Sequence, residues 1–203
     1  MSTTAERILD AALTSFATRG YDATSLDALA ETTGVRKQSI LYWFGSKEGL
    51  LGAVIDRSGA ELSAAMEQAL AGAGEGWQRV EAVVRSVFRV GARRPELLGL
   101  VREAGRLGPP AATRLTAALD PLAQRASSFL EAEMAAGTMR RHEPKLLLLA
   151  IYSTVVGMIT EVEVLRALGE EPTARSLVRR RQELLRLLKS ALVVDGPREG
   201  TAA

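Results

Sequence analysis

Side chains that can bind nucleic acid are concentrated in one short stretch of the sequence, between positions 36 and 47. Arginine and lysine donate to phosphate oxygens and to the edge of guanine, while glutamine pairs with adenine. Aromatic residues are interleaved with these polar ones. The candidate contact residues of this stretch are Arg36, Lys37, Gln38, Ser39, Tyr42, Trp43 and Lys47.

The same stretch has the periodicity of a helix with one apolar face. Ile40 and Phe44 are four residues apart and therefore share a face, whereas Ser39, Tyr42 and Trp43 lie elsewhere on the helix. Large aromatic residues are seldom left on a surface that has no partner. The pattern favours a helix that presents its polar and aromatic face to DNA, although an ordinary helical hairpin remains an alternative.

A second short helix is predicted just before it. Thr24 and Asp27 form a capping-box-like start, and Leu26, Leu29 and Ala30 follow at helical spacing before a glycine ends the pattern. Two short helices joined by a tight turn are typical of a helix-turn-helix, whose second helix enters the major groove. We therefore predict helices at about 24–33 and 36–44.

The DNA-binding interpretation is supported by the positions of the basic side chains rather than by their number. The chain has a net charge of only +2, and residues 1 to 50 contain five basic and six acidic side chains. Three of the five basic side chains, however, fall between positions 36 and 47. We expect affinity for DNA to depend on a few placed contacts.

Composition predicts an all-α protein. The 203 residues are 47% hydrophobic and 4% aromatic, with long stretches rich in Ala, Leu, Arg and Glu, which favours helices over β-sheets. Cysteine is absent, so disulfides and thiolate metal sites are excluded, and nothing at the N-terminus resembles a signal peptide. We expect a cytoplasmic protein with no cofactor, no metal and no membrane partner.

Seven further helices are predicted from apolar periodicity and from their start and stop residues. Pro121 must either kink its helix or start a new one. The tail after Asp195 is expected to fray. The predicted ranges are 4–19, 46–70, 77–94, 95–105, 111–136, 144–168 and 173–194.

The last two predicted helices suggest self-association. The run from Leu146 to Thr160 is apolar almost all round, which predicts burial on several sides, and it is too short to span a bilayer. The final helix is amphipathic, with an arginine-rich face that we interpret as solvated. We predict a homodimer through a four-helix bundle formed by residues 144–168 and 173–194 of each subunit, the alternative being monomer core.

The first quarter of the chain contains a dense set of residues that match one family of proteins. These residues are Phe16, Gly20, Tyr21, Thr24, Leu29, Ala30, Gly34, Val35, Lys37, Tyr42, Phe44, Ser46, Lys47, Glu48 and Leu50. With them, the first quarter of the chain resembles the tetracycline-repressor (TetR) family of transcriptional regulators. This resemblance implies a three-helix DNA-binding head, at residues 1–48, joined by a long helix to a ligand-binding and dimerisation body, at residues 49–203.

The resemblance also assigns roles to the candidate residues. It makes Thr24, Tyr42 and Lys47 phosphate contacts, while Arg36, Lys37, Gln38, Ser39 and Trp43 line the recognition helix. Arg36, Gln38 and Trp43 depart from the residues common at their positions in the family, which leaves the operator sequence open.

A small-molecule effector is the least constrained expectation. The scarcity of aromatic residues argues against an aromatic cage for a flat cation and favours an aliphatic or acyl-like ligand. Each candidate residue could instead belong to core or solvated surface. The ligand-binding candidates are Phe88, Arg89, Leu98, Val101, Arg102, Phe129 and Tyr152, and Leu97, Arg85, Glu161 and His142 are further possibilities.

The sequence therefore predicts a homodimeric DNA-binding regulator, interpreted as a repressor that a ligand releases from a palindromic operator. One alternative is a regulator or architectural protein with no ligand response. An all-helical enzyme is disfavoured, because the single histidine, His142, lies in a connector and no nucleophile or carboxylate pair has a mechanistic spacing.

Overall fold

The computed structural model describes residues 3–194, and these form ten α-helices. The all-α fold class with an N-terminal helix-turn-helix is thereby confirmed. An isolated antiparallel bridge joins Met139 to Val193. The helices are α1 (Thr4–Arg19), α2 (Leu26–Thr33), α3 (Lys37–Phe44), α4 (Lys47–Ala71), α5 (Trp77–Arg93), α6 (Pro95–Leu107), α7 (Ala111–Ala135), α8 (Pro144–Thr160), α9 (Val162–Ala167) and α10 (Ala174–Leu192).

Side-chain caps fix the starts of the early helices. Thr3 and Glu6 form a reciprocal capping box at α1. Ser25, rather than the predicted Thr24, caps α2 by accepting a hydrogen bond from the amide of Ala28, at 3.1 Å. Gly34 ends α2 in the left-handed conformation, with φ of 66°, which a glycine adopts without strain.

The chain divides into two compact units. The first comprises residues 3–65 and 89–121. Its core collects apolar residues of α1, α2, α3, α4 and α6. The largest fully buried side chains of this core are Ile8, Leu13, Phe16, Leu29, Ile40, Leu50, Ile55, Leu97 and Leu100.

The second unit comprises residues 66–88 and 122–194. Its core is formed by Phe88, Leu130, Val155, Leu184 and Leu192 with their apolar neighbours. Helices α4, α5 and α7 contribute residues to both units. Packing thus divides the chain differently from the predicted boundary after residue 48, and that boundary stays a prediction.

One prediction about helix boundaries was wrong. The helix predicted at 144–168 is two helices, α8 and α9, separated at Glu161. Of the two alternatives at Pro121, the start of a new helix is excluded, because α7 continues through this residue. Without an amide hydrogen, Pro121 cannot donate the helical hydrogen bond at its position.

The expectation that α8 is buried on several sides was also wrong for the single chain. Only Val155 of this helix is fully buried, whereas Leu146 and Leu149 are 65% and 58% exposed. On α10, Val178 is exposed rather than interior, because it lies on the flank of the buried stripe. Apolar side chains thus remain uncovered on the last helices of the chain.

Candidate nucleic-acid interface

The helix-turn-helix presents one face of α3 to solvent. Ile40 is fully buried and Phe44 packs against the first core, which fixes the rotation of the helix about its axis. Arg36, Lys37 and Gln38 are exposed and Ser39 is half-buried. The predicted separation of a core face from a polar face is therefore present on α3.

Exposed aromatic rings extend this face. Tyr42 and Trp43 are 83% and 54% exposed, and their ring centroids lie 5.6 Å apart in an edge-to-face arrangement. Leu41, which the sequence reasoning missed, is also exposed on α3. The sequence pattern indicated this exposure, since Leu41 does not lie on the helix face that Ile40 and Phe44 share.

Lys37 is held by a carboxylate of the preceding helix. Its Nζ atom lies 2.9 Å from Oδ2 of Asp27 on α2, and both side chains are substantially exposed. A DNA phosphate or base would have to compete with Asp27 for this ammonium group. The positive charge of Lys37 is therefore partly neutralised in the free protein.

Lys47 lies at the start of α4, above an aromatic ring. Its Nζ atom is 4.1 Å from the centroid of the Tyr21 ring and 3.5 Å from the carbonyl oxygen of Asp22. The hydroxyl of Tyr21 donates to Oε1 of Glu48 at 3.0 Å. These contacts direct Lys47 toward the loop between α1 and α2, residues 20–25.

The Tyr21–Glu48 contact shifts the ionisation of both groups. Burial, followed by the hydrogen bond and the charge of Glu48, raises the pKa of Tyr21 to about 12. Hydrogen bonds from its own backbone amide, from Ser46 and from Tyr21 lower the pKa of the Glu48 carboxyl. Tyr21 is therefore a neutral hydrogen-bond donor, and Glu48 a charged acceptor, at neutral pH.

Thr24 is placed differently from the expectation. It is buried, and its hydroxyl donates to the carbonyl of Gly20 at 2.8 Å while lying 2.7 Å from the hydroxyl of Ser15. Its backbone amide donates to the carbonyl of Tyr21. Both donors of Thr24 are thus used inside the protein, and the exposed hydroxyl at this helix start belongs to Ser25.

Comparison with known proteins agrees with this geometry. Residues 8–54, which contain the whole helix-turn-helix, match the family model described as bacterial regulatory proteins, tetR family. The helix-turn-helix head of this chain is therefore similar to that of the tetR family.

Two curated relatives resemble the same region of this chain. It is 40% identical over 45 residues to the negative transcriptional regulator IcaR of the biofilm operon icaADBC from Staphylococcus aureus, covering 22% of this chain and 24% of IcaR. It is 48% identical over 48 residues to the transcriptional regulator RutR from Escherichia coli, covering 24% of this chain and 23% of RutR. The chain thus matches about a quarter of the length of these relatives.

Over nearly its whole length the chain shares its fold with solved TetR-like structures. The transcriptional regulator FadR from Bacillus subtilis, in complex with stearoyl-CoA, superposes with a TM-score of 0.77 at 19% identity. The match covers 91% of this chain and 97% of that one. At this identity the likeness concerns the fold alone.

The predicted ligand-binding residues are distributed over both compact units. Phe88 and Phe129 belong to the core of the second unit, and Tyr152 is 46% exposed there. Leu98 and Val101 are buried in the first unit, whereas Arg89 and Arg102 are exposed. Their role in ligand binding stays a prediction.

Two open grooves occur within single units, and neither contains any of these seven residues. One groove of about 550 Å³ lies along α7, beside Thr113, Thr116 and Asp120. The other, of about 310 Å³, lies beside Glu131, Arg141 and His142. No group of His, Asp or Glu side chains within residues 3–194 is arranged to hold a metal ion, and none of the helices described is long and apolar enough to cross a membrane.

Proposed function

We propose that the chain is a DNA-binding transcriptional regulator that reads duplex DNA with α3 in the major groove. The observation that carries this proposal is the exposed polar and aromatic face of α3, backed by buried Ile40 and half-buried Phe44. A short helix anchored from one side and uncovered on the other fits the dimensions of the major groove.

Each residue of this surface takes a role that follows from its chemistry. Arg36, Lys37 and Gln38 are at the leading end of α3 and read base edges, with Ser39 and Trp43 beside them. Tyr42 and Lys47 contact phosphates and set the register of the head on DNA. Thr24 contributes by holding the start of α2 through its internal hydrogen bonds.

A homodimer brings two such heads to one palindromic site. Support comes from the large apolar side chains left exposed on the last three helices, which a second copy would cover. Leu146, Leu149 and Ala150 fall on one face of α8 together with Ser153 and Gly157, whose small side chains permit close helix approach. The other exposed apolar residues here are Tyr152, Val164, Leu168, Val178 and Leu187.

An aliphatic or acyl-like effector that releases DNA completes the proposal. Its support is the apolar character of Phe88 and Phe129 in the second unit, together with the fold shared with FadR, whose structure contains stearoyl-CoA. Such a ligand must bind the DNA-incompetent state more tightly, typically by about 1 to 3 kcal/mol. Mass spectrometry of the purified protein under native conditions tests whether such a ligand is bound. If the protein is ligand-free and no acyl compound changes its DNA binding, a regulator without ligand response is favoured.

DNA binding is tested by selecting duplexes from a random-sequence pool with the full-length protein, then measuring their affinity against salt concentration. We expect enrichment of a palindrome. Lys47→Ala should weaken binding to every duplex alike and lower the slope of log K against log salt by about 0.9 per lost phosphate contact, hence by about 2 for a dimer. Gln38→Ala should instead change which base is preferred at one position of each half-site.

Arg125→Ala is the matched control for loss of a positive charge. Arg125 lies on α7 in the second unit, where it pairs with Glu67 at 3.0 Å. Its removal should leave both the affinity and the salt slope unchanged. Failure to enrich any sequence at low salt, with the protein folded, would exclude a sequence-specific DNA-binding function.

A further inference from the structure

The C-terminal end of α6 carries an ion cluster that contacts the loop of residues 20–25. Glu103 is buried, and Arg106 donates to both of its carboxylate oxygens at 2.8 Å. The guanidinium of Arg106 also reaches Oδ2 of Asp22 at 3.0 Å. Two residues of α6 thus bind a loop that lies more than eighty positions earlier in the sequence.

Glu103 also binds the backbone of this loop. Its Oε1 atom accepts a hydrogen bond from the amide of Tyr21 at 2.6 Å. Gly20 precedes this amide with φ of 85°, and a Cβ atom at that position would meet Oε1 of Glu103 at 3.4 Å. Close packing adds to the restraint, since a Cβ atom at Gly99 of α6 would lie 3.0 Å from Cβ of Ala17 on α1.

The restrained loop supports the predicted phosphate contact Lys47 from two directions. Its ammonium group lies over the ring of Tyr21 and within 3.5 Å of the carbonyl of Asp22. These are the two residues that Glu103 and Arg106 hold. A continuous set of contacts therefore leads from the end of α6 to Lys47, and all of its members lie in the first compact unit.

We infer that Glu103 and Arg106 are positioning residues for DNA binding, which fix the loop that places Lys47 against a phosphate. The inference rests on the proposed DNA-binding function. It gives α6, which carries none of the predicted DNA contacts, an influence on affinity. Ionisation is consistent with a permanent clamp, because Arg106 lowers the pKa of the Glu103 carboxyl and Glu103 raises that of Arg106.

If Glu103 and Arg106 only stabilised the fold, replacing them would also reduce DNA binding, because part of the protein would be unfolded. The variants below distinguish this structural role from a positioning role. The test uses the full-length protein and its selected duplex, with Arg106→Gln, Lys47→Ala and the double variant. Arg125→Gln serves as control, because it removes the same charge from another exposed ion pair of the second unit. Arg106→Lys, which keeps the charge but loses the two-pronged contact, should lie between wild type and Arg106→Gln.

Arg106→Gln should weaken DNA binding by up to about fivefold for each head, the range expected for its exposed ion pair with Asp22. In the Lys47→Ala background the same change should cost less than about twofold, because the contact that it positions is already absent. Equal losses in both backgrounds would overturn the inference. A loss of the same size in Arg125→Gln would overturn it as well, since net charge alone would then explain the effect.

Hydrogen exchange gives a reading that needs no DNA. In Glu103→Ala the amide of Tyr21 should exchange faster, while the amide of buried Ile40 keeps its protection. Unchanged exchange at Tyr21 would overturn the clamp itself. Wild-type protein that selects no duplex would overturn the proposed function together with this inference, whereas normal wild-type binding with additive variants would overturn the inference alone.

Discussion

Replacing Leu149 with alanine should weaken the proposed homodimer without unfolding the subunit. Leu149 is 58% exposed in the single chain, so its removal leaves the folded core intact. Fully burying a leucine contributes about 1.5–3 kcal/mol, and covering somewhat over half of this side chain contributes about 1 kcal/mol. Because the two-fold axis of the proposed dimer would place the residue at the interface twice, the dimer should lose about 2 kcal/mol, or about 30-fold in its dissociation constant.

Sedimentation of the purified chain over a range of concentrations measures this constant. Leu149→Arg should dissociate the dimer further, since a buried unpaired charge costs more than a lost contact. Leu41→Ala is the matched control, because Leu41 is an exposed leucine of α3 and should not affect dimerisation. A wild-type chain that sediments as a monomer at micromolar concentration would refute the reasoning, and so would an unchanged constant in Leu149→Ala.

Three further predictions follow from individual contacts. Asp27→Asn should free Lys37 and tighten binding to the selected duplex at low salt by a few fold, and unchanged affinity would show that the pair does not compete with DNA. Ile40→Ala should lower the free energy of unfolding of the first unit by about 2–4 kcal/mol, measured with denaturant, because the side chain is fully buried. A smaller loss would mean that the core closes around the cavity. Because the pKa of Glu103 is lowered on folding, its stabilisation is present above its usual value of 4.5 and disappears as pH falls through the lower value. The stability difference between wild type and Glu103→Gln should therefore shrink between pH 7 and pH 3, and a constant difference would contradict the ion pair.

Much of the helix-turn-helix head could be predicted because its determinants are local. The capping box of Thr3 and Glu6 set the start of α1 at the predicted residue, and the spacing of Ile40 and Phe44 oriented α3 correctly. The cap of α2 was misplaced by one residue. Thr24 and Ser25 both carry hydroxyls suited to a cap, and only the fold shows that the hydroxyl of Thr24 is held by Ser15 and Gly20.

The rest depends on contacts that are distant in sequence. Arg106 and Asp22 are 84 positions apart, and nothing in their surroundings indicates that they meet. The apolar run of α8 is compatible with monomer core and with an interface, since both remove apolar surface from water. No proline or glycine stands at the break at Glu161, so the sequence pattern predicted one continuous helix there.

Under the proposed DNA-binding function, the ion pair between Lys37 and Asp27 also bears on how the protein would find its target sequence. Residues 1 to 50 have five basic and six acidic side chains, and Lys37 is already paired with Asp27, so the head would be attracted only weakly to arbitrary duplex and would leave unrelated sequences quickly. Most molecules would then be free in solution, and the operator would be found mainly by repeated three-dimensional encounters rather than by sliding. Occupancy at the operator would consequently respond quickly to changes in the concentration of the protein.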